Sequence, residues 1–160
     1  MNTIKDVIDF LMDRQLRVAA AESCTGGLVA SKITAISGSG SVFDRSYVVY
    51  SPKSKNEVLG VSFGTIEKFG LSSEEVAGEM ALGALRNSGT DLAVANTGLA
   101  EADNEMDGVV CFACALLVDG EEKVISETVR FGGDRNAVRE SAARHALMQI
   151  PGYLARLGRR

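Results

Sequence analysis

Four short apolar runs in this chain each break abruptly into a polar turn built from glycine, serine or threonine. The turns are Glu22-Ser-Cys-Thr-Gly-Gly27, Tyr50-Ser-Pro-Lys-Ser-Lys55, Asn96-Thr-Gly98 and Gly132-Gly-Asp-Arg135. Runs such as RVAAAE (17–22), SYVVYS (46–51) and DLAVANTG (91–98) are short, apolar and bounded by turn residues, so they read as buried strands. In open α/β folds ligands sit at the carboxyl ends of such strands, where loops lead into helix N-termini. The pattern therefore constrains both the fold and the place to look for chemistry.

The segments between the runs carry helical signals. Residues 3–14 place Ile4, Val7, Ile8 and Leu11 at helical spacing, with Thr3 and Asp6 as a capping pair. Residues 28–37 predict a second helix. Ser51-Pro52 supplies an N-cap and first-turn pair for a short helix through Leu59. Ser72 and Glu75 form a capping box that opens the helix EEVAGEMALGALRNS. Further on, VVCFACALLV, the turn DGEE and KVISETVRF make a hairpin, so at least one strand pair is antiparallel. GGDR then begins a last helix with Val138, Ala142, Ala146, Leu147 and Ile150 on one face. This order predicts an α/β sandwich around a mixed sheet. With 160 residues and no repeat, linker or low-complexity stretch, one domain over 1–160 is expected.

Composition excludes several function classes. Hydrophobic residues make up 46% and charged residues 24%, the balance of an ordinary globular protein. No apolar run approaches the roughly 18 residues needed to cross a membrane, and MNTIKDVIDFLMDR lacks the basic start and cleavage site of a signal peptide. A net charge of −4 gives no general attraction to phosphate backbones, so nucleic-acid binding is disfavoured. Three cysteines, an odd number, suit a reducing cytoplasm better than a disulfide framework. Cys111 and Cys114 lie three apart on a predicted strand and so point to opposite faces, which excludes them as joint metal ligands. No metal or other cofactor is expected.

The first turn carries two candidate nucleophiles, Ser23 and Cys24. Gly26 and Gly27 permit close backbone approach, and the following helix start offers free N–H groups to a phosphate or an oxyanion. A serine N-cap with glycines serving a tight turn is the alternative, which spacing alone leaves open. A hydrolytic serine needs a base. The single histidine, His145, falls inside the last helix, so a Ser-His-Asp triad is not expected and elimination leaves a lysine. Lys55 sits in the opening turn of its helix, where the dipole disfavours a cation and lowers its pKa. A solvated surface lysine is the alternative there. Tyr50 is placed to relay or position a proton. Arg135, beside the N-cap candidate Asp134, heads the last helix and can hold an anion jointly with helix N–H groups. Thr97-Gly98 either offers a hydroxyl to a substrate or ends its strand.

Taken together, AAESCTGG, FxxxYVVYSPKSK, VAGEMALGAL, ANTGLA and FGGDRNAVR resemble, in order, the CinA C-terminal domain family. That family includes nicotinamide-nucleotide amidohydrolases, which convert nicotinamide mononucleotide to its nicotinic acid form and ammonia. The resemblance covers about residues 15–148. It implies a three-layer α/β/α sandwich with a mixed, mostly parallel sheet, a cytoplasmic homodimer or higher homo-oligomer, a small-molecule nucleotide substrate and no metal. It implies Ser23 as nucleophile, Lys55 as base and Tyr50 beside them. Substrate would be held by Cys24, Thr25, Gly26, Gly27, Thr97, Gly98 and Arg135. The chain departs from the family pattern after Thr97-Gly98. There TGLAEADNEMDGVV replaces a proline- and glycine-rich stretch with acidic residues, whose charge would repel a phosphorylated substrate unless they face solvent. A nucleotide-binding or regulatory relative that has lost turnover is the alternative function.

Overall fold

The computed structural model describes residues 1–159. The elements run α1 (Ile4–Asp13), β1 (Val18–Glu22), α2 (Leu28–Thr34), β2 (Phe43–Val48), α3 (Pro52–Leu59), α4 (Phe63–Phe69), α5 (Glu74–Ser88), β3 (Leu92–Gly98), β4 (Val109–Val118), β5 (Glu121–Arg130), α6 (Arg135–Met148) and α7 (Ile150–Arg156), with one 3-10 turn at Ser39–Ser41. The five strands form one sheet in the order β2-β1-β3-β4-β5. The pairs β1–β2 and β1–β3 are parallel, whereas β3–β4 and β4–β5 are antiparallel. The sheet is therefore mixed, as the hairpin pattern predicts.

Alternation along each strand sorts the core into two layers. Val18, Ala20, Val110, Phe112, Cys114 and Leu116 pack on one side with Val7, Ile8 and Leu11 of α1, Val29 and Ile33 of α2, and the apolar face of α6 and α7. Ala19, Ala21, Ala93, Ala95, Cys111, Ala113 and Ala115 face the other way, against Leu59 at the end of α3 and the buried stripe of α5. Helices thus cover both sheet faces. Cys111 and Cys114 fall into different layers, as the strand geometry requires.

The second layer is lined almost wholly by alanine, which lets α5 lie close on the sheet. Five of its eight buried positions, Ala77, Gly78, Ala81, Gly83 and Ala84, are equally small. A Cβ at Gly83 would stand 2.1 Å from the Leu59 carbonyl oxygen, so α5 and the end of α3 touch backbone to backbone. Gly83→Ala is expected to force these helices apart and to cost about 3 kcal/mol. That corresponds to a fall in Tm of roughly 6–12 °C, measurable by thermal denaturation.

Several boundaries differ from the sequence expectation. β2 begins at Phe43 and ends at Val48, because Val49 and Tyr50 turn out of the sheet toward α3. Ser73, not Ser72, caps α5, its side chain accepting from the Val76 N–H. The predicted caps at Thr3, Ser51 and Asp134 are present. Among the described residues no helix is long and apolar enough to cross a membrane.

Candidate functional site

Strand register explains why distant residues meet. Glu22, the last residue of β1, pairs with Val48 on one side and Asn96 on the other. The next residues, Ser23 and Val49, therefore leave the sheet side by side, next to Thr97, which stays paired with Cys111 of β4, and the Val49 N–H still donates to the Glu22 carbonyl at 2.9 Å. Ser51 then caps α3 and Pro52 opens it, so Lys55 lies one turn in and reaches back to the strand ends.

Lys55 is fully buried and its Nζ lies 2.9 Å from Ser23 Oγ, 2.9 Å from the Val49 carbonyl and 3.0 Å from the Tyr50 carbonyl. Burial lowers its pKa from 10.5 to about 8, so a substantial neutral fraction exists near neutral pH. The neutral amine has two hydrogens and one lone pair. Carbonyl oxygens only accept, so Val49 and Tyr50 take the two hydrogens and the lone pair is left for the Ser23 hydroxyl. This is the arrangement a general base requires. Burial pushes the neighbouring Cys24 thiol up to about 11, which keeps it protonated and leaves Ser23 as the group that can be activated.

The turn after β1 is held from within. Glu22, fully buried, accepts through Oε1 from the Thr25 hydroxyl at 2.7 Å and from the Gly27 and Val29 N–H groups at 3.1 and 2.8 Å. Its Oε2 accepts from the Ala30 N–H at 3.1 Å and the Ser46 hydroxyl at 2.7 Å. Asn96 Nδ2 donates to Thr25 Oγ1 at 2.9 Å, completing a buried polar chain between β3 and β1. Arg139 of α6 closes the turn from outside: Nε donates to the Cys24 carbonyl at 2.9 Å and Nη2 to the Thr25 carbonyl at 3.2 Å.

A cavity of about 380 Å³ opens beside Ser23. Of the expected residues, Ser23, Cys24, Tyr50, Thr97 and Gly98 line it, together with Phe69, Leu71, Ser72, Leu99 and Met106. Thr25, Gly26 and Gly27 do not. The helix start they precede is occupied by the Glu22 carboxylate, so it is an internally satisfied terminus rather than an open anion site. Gly26 and Gly27 instead supply the left-handed backbone, at φ of 56° and 108°, that folds the turn back over Glu22.

Tyr50 also differs from its expected part. Its carbonyl, not its phenol, touches Lys55, while the exposed hydroxyl accepts from Arg135 Nη2 at 3.1 Å. Arg135 is outside the cavity lining and half-exposed, with Glu101 Oε1 3.8 Å from its Nη1. Thr97 is buried and its hydroxyl donates to the Leu71 carbonyl at 3.0 Å, tying the strand end to the loop before α5. The acidic stretch folds on itself: Asp107 Oδ1 accepts the Ala102 N–H and Asn104 Oδ1 accepts the Met106 N–H. Glu101, Asp103, Glu105 and Asp107 are exposed, so Leu99 and Met106 rather than carboxylates line the cavity from this loop. Among the described residues no group of three or more His, Cys, Asp or Glu side chains is placed to hold a metal ion.

Comparison with known proteins gives one consistent family. A family model of the CinA C-terminal domain matches residues 2–154. The nicotinamide-nucleotide amidohydrolase PncC of Enterobacter agglomerans is 46% identical over 130 residues, which cover 79% of this chain and 77% of that protein. A CinA-like protein of Chlorobium phaeovibrioides is 40% identical over 158 residues, covering 95% of this chain and 37% of that one. The chain spans about a third of the length of the CinA-like curated relatives it matches. Among solved structures, a CinA superfamily protein of Klebsiella pneumoniae superposes with a TM-score of 0.87 at 32% identity, covering 98% of this chain and 99% of its own. The competence/damage inducible protein CihA of Agrobacterium tumefaciens gives 0.86 at 34%, over 94% and 92% of the two chains.

Proposed function

The chain belongs to the CinA C-terminal domain family, and from that premise we propose that it is an amidohydrolase converting nicotinamide mononucleotide to nicotinic acid mononucleotide and ammonia. The observation that carries this reading is the 2.9 Å contact between a desolvated Lys55 amine and the Ser23 hydroxyl at the edge of a cavity. Neutral Lys55 takes the Ser23 proton as Oγ bonds to the carboxamide carbon, and turn N–H groups receive the oxyanion. The Lys55 ammonium then protonates the departing nitrogen, the C–N bond breaks and ammonia leaves. Water, deprotonated by Lys55, attacks the acyl-serine, the bond to Ser23 Oγ breaks to release the acid, and Lys55 returns its proton to Oγ.

Tyr50 lines the cavity and its hydroxyl holds Arg135 beside it, where the guanidinium suits the nucleotide phosphate once Glu101 swings aside. The substrate assignment draws on the name of the Enterobacter agglomerans relative. Ammonia release from nicotinamide mononucleotide by the wild type and by Ser23→Ala tests the reading. Loss of the hydroxyl is expected to lower kcat by roughly 10³-fold or more, and equal rates in the two proteins would end the mechanism.

One observation favours a second reading, a ligand-binding member without turnover: the Glu101 carboxylate already stands beside Arg135. Saturable binding of nicotinamide mononucleotide to the wild type with no ammonia released selects that reading instead.

A further inference from the structure

The guanidinium of Arg139 packs on the turn that carries Ser23 without itself lining the cavity. It spans two consecutive carbonyls, those of Cys24 and Thr25, at 2.9 and 3.2 Å. A trans peptide is planar with its C=O and N–H antiparallel, so fixing a carbonyl fixes where the following N–H points. The Cys24 carbonyl fixes the Thr25 N–H directly. The Thr25 carbonyl fixes the Gly26 N–H, which donates to the Ser23 carbonyl at 3.1 Å, and that bond in turn sets the Cys24 N–H. Among the described residues, neither the Cys24 nor the Thr25 N–H finds an acceptor, whereas those of Gly26 and Gly27 are satisfied. Of the two, Cys24 lines the cavity and Thr25 lies fully buried behind it, so the free Cys24 N–H is the donor that an anion on Ser23 can meet.

We propose that Arg139 is a positioning residue for the oxyanion formed on Ser23: it locks the peptides that set the Cys24 N–H, and its charge, passed along the Thr25 carbonyl, the Gly26 N–H and the Ser23 carbonyl, strengthens that donor. Gly26 is part of the same device. A Cβ there would lie 3.1 Å from Arg139 Nη2, and the residue holds a φ of 56°, so only glycine seats the guanidinium without strain. The inference rests on the Ser23 mechanism above but is separable from it.

The test uses 3-pyridylboronic acid, whose trigonal boron takes Ser23 Oγ into a B–O bond while the hydroxyl proton passes to Lys55. The product is a tetrahedral boronate anion with an oxygen where the oxyanion would lie, observable by boron NMR. Arg139→Gln is expected to weaken adduct formation by about 10- to 100-fold, the scale of a damaged oxyanion site. Its kcat for ammonia release should fall by the same factor with KM within about twofold. Arg139→Lys, which reaches one carbonyl at a time, should fall between, and Gly26→Ala should match Arg139→Gln. A merely structural arginine would lower Tm and the folded fraction without this split. Undiminished adduct and kcat in Arg139→Gln or, should that variant not fold, in Arg139→Lys and Gly26→Ala overturn the proposal while leaving Ser23 chemistry intact. A wild type that forms no adduct and releases no ammonia overturns the amidohydrolase reading, and this inference with it.

Discussion

Lys55→Met is expected to lower kcat by roughly 10³-fold, because it removes the base that activates Ser23 while preserving side-chain volume. In the wild type, kcat/KM should rise about tenfold per pH unit from about pH 6 and level off near 8, the pKa that burial imposes on the amine. The same group marks stability. Its pKa is depressed on folding, from 10.5 to about 8, so between those values the unfolded chain binds the extra proton and stability rises with pH. Lys55 is fully buried, so the shift needs no discount for solvent and corresponds to about 3 kcal/mol in total. Below about pH 8 the methionine variant escapes that cost but leaves the Val49 and Tyr50 carbonyls without a donor, at about 1–3 kcal/mol each. The opposing effects leave the neutral-pH difference small. The wild type should then gain about 2–3 kcal/mol on the variant between about pH 7.5 and 10, read by urea denaturation at each pH. A flat difference across that range would show that folding leaves the amine's proton affinity unchanged.

What the sequence disclosed and what it hid divide along the same physical line. Elements with a local signature were legible: the capping box at Thr3, the Ser51-Pro52 start, the alternating hairpin strands. α4 was not, since FGTIEKF is only seven residues long and fully buries none of them, so the spacing of Phe63, Ile66 and Phe69 is too short a run to read as a helix. α7 was hidden by Pro151, which normally stops a helix but here sits in its first turn. At the site, Ser23 and Lys55 were found through elimination and resemblance, and their contact across 32 residues rests on the parallel register of β1 and β2. Glu22 was overlooked although it gave a signal: a carboxylate ending the apolar run RVAAAE is anomalous unless something pairs it. Asn96, its register partner on the neighbouring strand, is the same kind of anomaly. Arg139 gave only its helical phase, four residues beyond Arg135. Its partners lie 115 and 114 residues away, beyond the reach of any local pattern.

Glu22→Ala is expected to be the most damaging single change to the fold. One carboxylate accepts five hydrogen bonds, from two hydroxyls and three backbone N–H groups, in a position without solvent. The hydroxyls of Thr25 and Ser46 can turn to other acceptors, but the Gly27, Val29 and Ala30 N–H groups are fixed by the backbone. Leaving three fixed donors unpaired costs on the order of 1–3 kcal/mol apiece, and the cavity adds to it. Relaxation of the turn and entry of water offset part of this, so a net loss of about 4 kcal/mol is expected, lowering Tm by roughly 8–16 °C. Glu22→Gln separates packing from acceptor count. The amide keeps the volume and one oxygen, which can serve Gly27 and Val29, but its NH2 must then face the Ala30 N–H, donor against donor. It should lose about half as much stability as the alanine variant. Because that repulsion falls on the first turn of α2, the amide variant should also loosen the Ser23 turn and lower kcat while KM holds. Thermal denaturation and ammonia release on the same two variants check both consequences. Equal stability in wild type and Glu22→Gln would show that the carboxylate's charge and second acceptor oxygen are not what holds the turn.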